Sequence, residues 1–145
     1  MLAVKLCVAV MVVGVAAAED DAGKLAGTWA AQSNGAGSVW SFESKGDALQ
    51  ITNRDGQQTL AEITCKPDGR ECKARDGGKN VTVSLWHNGA ALVELETRGS
   101  EVTKRRFTVN AQDDGMDMET IAIVPPGKTE TVHFTRLQQA AHNQQ

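Results

Sequence analysis

Leu25-Ala26-Gly27-Thr28-Trp29 and, near the other end of the chain, Thr131-Val132-His133-Phe134-Thr135-Arg136 bracket a run of short segments separated by turn signals. Those signals are Lys45-Gly46-Asp47, Arg54-Asp55-Gly56, Pro67-Asp68-Gly69, Asp76-Gly77-Gly78, Asn88-Gly89, Arg98-Gly99-Ser100, Asp113-Asp114-Gly115 and Pro125-Pro126-Gly127. They recur about every ten to fourteen residues, the spacing of an antiparallel meander. The segments between them predict strands near 26–31, 38–44, 47–53, 58–65, 70–75, 79–87, 90–97, 101–110, 116–124 and 129–137. Asn88-Gly89 is the strongest hairpin signal, read as a two-residue type I′ turn with positive φ at both positions. Parallel crossovers need a dozen or more residues each, so loops this short exclude them. The fold class is all-β, a barrel or a sandwich.

Alternation assigns faces. Trp40 with Phe42, Leu49 with Ile51, Val81 with Val83 and Leu85, Val93 with Leu95, Phe107 with Val109, and Val132 with Phe134 are expected to point inward. Opposite positions are mostly Ser, Thr, Gln, Lys and Glu, which leaves one wet face per strand. An antiparallel up-and-down β-barrel of eight to ten short strands satisfies that pattern without an unpaired edge. Across 116–124 the phase is blurred, with Met116, Met118, Ala122 and Val124 set against Asp117, Glu119, Ile121 and Ile123, and a bulge near Thr120 would reconcile the halves.

The first 18 residues read as a signal peptide: Lys5, the apolar stretch Leu6 to Val15, then Ala16-Ala17-Ala18 before the acidic Glu19-Asp20-Asp21. The stretch is shorter than the roughly 20 residues of a membrane-spanning helix, and no later segment approaches that length. Cys7 lies inside it, far from the expected cut, and does not read as a lipid anchor. A secreted or periplasmic location is the expectation. The organisation expected is a leader at 1–18, a barrel domain at 19–137 and a polar tail at 138–145. Loss of the leader removes one lysine and moves the formal charge from −3 to −4, which argues against nucleic acid as a partner. About 127 residues then remain, enough for one core. Cys65 and Cys72 are left as a pair flanking Lys66-Pro67-Asp68-Gly69-Arg70-Glu71, and export makes a disulfide across that hairpin neck the expectation.

Gly27-Thr28-Trp29, the meander and the terminal strand ending in Arg136 together resemble the lipocalin-like proteins of the calycin type, in particular small exported bacterial ones. The resemblance spans roughly residues 24 to 137. It implies that Trp29 packs at the closed end of the barrel with Arg136 laid across it as a structural cation–π contact. The chain departs from typical lipocalins in lacking a long helix after the barrel and the middle-strand Thr-Asp-Tyr motif of many animal members.

A barrel of this size is either filled by its side chains or holds one small ligand. The candidate ligand-lining residues are Trp40, Phe42, Leu49, Ile51, Val83, Leu85, Phe107 and Met118, and the same residues serve equally as plain core. Arg105 shares the Phe107 face, where it would hold the carboxylate of an organic acid. A one-residue change of phase sends it to solvent beside Lys104, and the sequence leaves both open. Glu94 and Glu96 are read as a solvated ladder of charges facing away from Val93 and Leu95.

His87, His133 and His142 show no metal-ligand spacing, and Asp113, Asp114 and Asp117 lack the regular oxygen spacing of a calcium loop. No nucleophile elbow, phosphate loop or dinucleotide fingerprint appears, so no enzyme and no cofactor is expected. Two functions remain: a carrier of a small hydrophobic or amphipathic ligand, and a protein-interaction module, such as an envelope hydrolase inhibitor, acting through the loops Lys66 to Glu71 and Gln112 to Asp117.

Overall fold

The computed structural model describes residues 23–31 and 37–138. The expected leader and most of the expected tail lie outside the described residues. Ten strands follow one another: β1 (Gly27–Ala31), β2 (Ser38–Lys45), β3 (Ala48–Asp55), β4 (Gln58–Cys65), β5 (Asp68–Asp76), β6 (Lys79–Asn88), β7 (Ala91–Arg98), β8 (Glu101–Val109), β9 (Gly115–Val124) and β10 (Thr129–Arg136). Each pairs antiparallel with its neighbours, and β1 pairs with both β2 and β10, which closes the barrel. No helix among the described residues is long and apolar enough to cross a membrane.

Turn chemistry fixes the register, with two corrections to the sequence reading. Asn88 pairs with Ala91, so the two central residues of that hairpin are Gly89 and Ala90. Positive φ falls on Gly89 alone, the pattern of a II′ rather than a I′ turn. In β9, Ala122 faces Thr103 while Val124 faces Val102, which leaves Ile123 as the extra residue. The bulge is therefore three positions beyond Thr120, and Met116, Met118, Thr120 and Ala122 keep one continuous inward phase.

The ladder is thinnest between β4 and β5, where Ala61 pairs with Asp76 and Glu62 with Arg75 before the strands part. Cys65 and Cys72 are joined across the gap by a disulfide, with their Cα atoms 6.0 Å apart. A covalent link thus holds two strands that backbone hydrogen bonds no longer hold.

One end of the barrel is closed by the chain's opening motif. Trp29 is fully buried and donates its indole N–H to Leu25 O at 3.0 Å. The Arg136 guanidinium lies 4.1 Å from the centre of that ring and donates to Ala26 O, Lys24 O and Asp113 O. Such a stacked cation contributes about 0.5–2 kcal/mol. The glycine of the motif has its own reason: Gly27 has φ +127°, and a Cβ there would come within 2.8 Å of Arg136 Nη1. Gly-x-Trp and the terminal arginine form one assembly that joins the first strand to the last.

Candidate functional site

Residues paired across an antiparallel ladder share a face, so the register sorts the whole wall into lumen and exterior. The lumen half next to Trp29 is apolar. Trp40, Phe42, Ile51, Ile63, Val83, Leu85, Leu92, Phe107, Met116, Met118 and Phe134 are all buried there. Three aromatic rings meet at its centre: Phe42 and Phe107 edge to face at 5.1 Å, and Trp40 tilted against Phe107 at 5.4 Å. All nine candidate lining residues, Trp40, Phe42, Leu49, Ile51, Val83, Leu85, Arg105, Phe107 and Met118, lie on this inward face.

The expected faces of β7 are reversed. Val83, Leu85 and His87 of β6 stand opposite Glu96, Glu94 and Leu92, and Phe107 and Arg105 of β8 stand opposite Leu92 and Glu94. Leu92, Glu94, Glu96 and Arg98 therefore point into the barrel. Val93 and Leu95 point out, where Val93 lies between its cross-strand neighbours Trp86 and Arg106. Glu94 and Glu96 are not a solvated ladder: they are 0% and 5% exposed. The hairpin offered a signal for this. A two-residue loop always pairs odd-numbered with even-numbered positions, so an inward Val83 and Leu85 require an inward Glu94 and Glu96.

Above the aromatic floor the lumen thus carries a layer of charge. Arg105 is inward, and its Nη1 donates to Glu94 Oε1 at 2.7 Å and to Glu96 Oε2 at 3.5 Å. Its guanidinium lies 5.9 Å from the Trp40 ring centre. Arg98 Nη2 approaches Asp76 Oδ2 at 2.7 Å and Glu96 Oε1 at 3.6 Å. Three carboxylates and two guanidiniums interlock on β5, β7 and β8. Burial pushes the Glu94 carboxyl up, against the pull of Arg105. Burial, then the adjoining Asp76 carboxyl, pushes Glu96 up to about 7. Burial opposes the Arg105 charge, but Glu94, Glu96 and Asp76 outweigh it and hold that pKa above its ordinary value. Among the described residues, two buried side-chain atoms have no hydrogen-bond partner: Glu94 Oε2 and Arg98 Nε.

Around this layer the inward positions are short. Ser38, Asn53, Thr103, Thr120 and Ala122 are half-buried, whereas the inward aromatic and aliphatic side chains of the Trp29 half are buried. A hollow of about 300 Å³ beside the β8–β9 connection is lined by His133 and Asp117, whose side chains bond at 2.5 Å, but both are exposed.

The barrel is similar to several solved structures. The Schistosoma mansoni fatty acid binding protein in complex with arachidonic acid superposes with a TM-score of 0.67 at 17% identity, over 79% of this chain and 97% of that one. Fatty-acid-binding protein 1 of Echinococcus granulosus gives 0.68 at 10% identity, over 80% and 99%. Secretory abundant heat soluble protein 4 of Ramazzottius varieornatus gives 0.65 at 12%, over 79% and 96%. The fold in common is a closed, ten-stranded antiparallel barrel. The likeness is thus to barrels of ten strands, whereas lipocalins proper close with eight. At these identities it carries the fold alone. No protein-family model matches the sequence, and no curated protein matches it.

Proposed function

We propose that the protein is an exported carrier that holds one small hydrophobic or amphipathic molecule inside its barrel. The observation that carries this reading is the division of the lumen into a buried aromatic and aliphatic floor and a polar, half-buried layer above it. An apolar tail would lie against Trp40, Phe42, Phe107 and Met118, with its polar end level with Arg105, Glu94 and Glu96. Concave, mostly apolar sites with a few fixed polar groups are the usual form of a small-molecule pocket. Among the similar structures, fatty-acid-binding proteins recur and one contains arachidonic acid, which supports a binding role over a catalytic one. The leader-like sequence at 1–18 and the Cys65–Cys72 disulfide support export, since such bonds persist in oxidising compartments.

Native mass spectrometry of the mature protein, taken from the medium or envelope of its host, tests the proposal. A stoichiometric passenger with an apolar chain is expected. A clean apo mass that persists after challenge with a panel of lipids and amphiphiles would reject the carrier and move attention to the loop closed by Cys65 and Cys72.

A further inference from the structure

The charged layer says what kind of polar head the lumen accepts. We propose that the ligand is a cationic amphiphile, an apolar chain bearing an ammonium group, and that fatty-acid anions are disfavoured; this deepens the carrier reading and depends on it.

The argument begins with charge. Asp76, Glu94 and Glu96 bring three carboxyl groups to the layer, and Arg98 and Arg105 bring two guanidiniums. The guanidiniums that would grip a ligand carboxylate are already engaged, Arg105 by Glu94 and Glu96, Arg98 by Asp76 and Glu96. Arg98 Nε is unpartnered, but an anion approaching it meets the carboxylates that flank the same guanidinium. A ligand carboxylate would be a fourth acidic group beside two guanidiniums, at a place where burial already makes Glu94 and Glu96 resist ionisation.

A cation meets the opposite situation. Glu94 Oε2 is completely buried and accepts no hydrogen bond, an arrangement that costs about 1–3 kcal/mol when nothing fills it. An ammonium carries three N–H donors and one positive charge, enough to satisfy that oxygen and to offset a carboxylate beside it. The aromatic floor suits it as well, since the Trp40 ring already lies 5.9 Å from one cation. A metal ion is a poorer fit: among the described residues no three His, Cys, Asp or Glu side chains converge as metal ligands.

Without ligand, a proton does part of this work. Glu96, raised to about 7, faces Asp76 from β5, Arg105 from β8, Glu94 and Arg98 on its own strand, and the apolar Val83 from β6. Protonation of Glu96 removes one carboxylate charge from the layer. An ammonium would replace that proton, so amine binding strengthens as pH rises through about 7.

The test is isothermal titration calorimetry of the mature protein at pH 8 with decylammonium, decanoate and the uncharged decanol, repeated at pH 6. At pH 8 the amine is expected to bind at least about tenfold more tightly than the acid, a difference of about 1.4 kcal/mol. That margin is expected to shrink at pH 6, and Glu96→Gln and Asp76→Asn are each expected to narrow it at pH 8. Acid binding as tight as amine binding would overturn the inference, and so would decanol binding with no preference for the amine; both leave the carrier reading intact. Failure of all three ligands to bind would reject the carrier reading itself.

Discussion

The two halves of this lumen follow different rules. Next to Trp29 every inward side chain of β2, β6 and β10 that is fully enclosed is apolar, and Arg136 lies over the Trp29 ring with its donors satisfied by backbone carbonyls. A few residues further along the same strands, β7 turns from Leu92 to Glu94 and Glu96, and the wall becomes a network of five charged groups with two polar atoms left over. Burial of the first half stabilises the barrel at about 25 cal/mol per Å² of apolar surface. The second half gains little, because desolvating charges offsets most of what their pairing returns. A fold that needed only stability would have an apolar layer there too. That difference is why the upper half is the candidate site and the floor its support.

The comparison can be broken from either side. The largest effect is expected at the floor: Trp29→Ala removes a fully buried ring together with its partner contact and should cost about 3–5 kcal/mol in chemical denaturation. A loss below about 1 kcal/mol would remove Trp29 from the closed end. Next comes Arg105→Leu, which strands Glu94 and Glu96 without their cation and should cost about 2–4 kcal/mol. The double substitution Glu94→Leu with Arg105→Leu should recover most of that loss, and a double variant as unstable as the single would show the layer to be structural after all. Reduction of Cys65–Cys72 closes no long loop and should cost about 2–3 kcal/mol, read as a shift of the denaturation midpoint with and without reductant.

The smallest effect is a pH dependence. The Glu96 carboxyl is raised in the folded protein above its ordinary 4.5, to about 7, so the folded state binds the extra proton. Its contribution is complete below pH 4.5 and is lost as pH climbs through about 7. Melting temperature should therefore fall between those values by the equivalent of about 1–2 kcal/mol, and Glu96→Gln should flatten the curve. A melting temperature rising across that interval in the wild type but not in the variant would contradict the placement of Glu96.

The strands and their order were legible because their causes are local. Period-two alternation, glycine-bearing turns and the Gly27-x-Trp29 signal with Arg136 act within a few residues or through one distinctive pair, and all ten segments appear where the sequence predicts them. Inward aromatics and the Cys65–Cys72 pairing follow from the same short-range logic. Strand β7 was not legible in that way: Ala91, Leu92, Val93 and Glu94 are all buried, so hydrophobicity alternates between two covered faces and does not say which one is the lumen. The apolar residues Val93 and Leu95 look like the inner set when the strand is read alone. Only pairing with β6 and β8 decides, because a strand's face is a property of its register with its neighbours. The sequence by itself determined an antiparallel all-β meander and pointed to a barrel; tertiary structure decided its closure and that two glutamates and an arginine meet inside it.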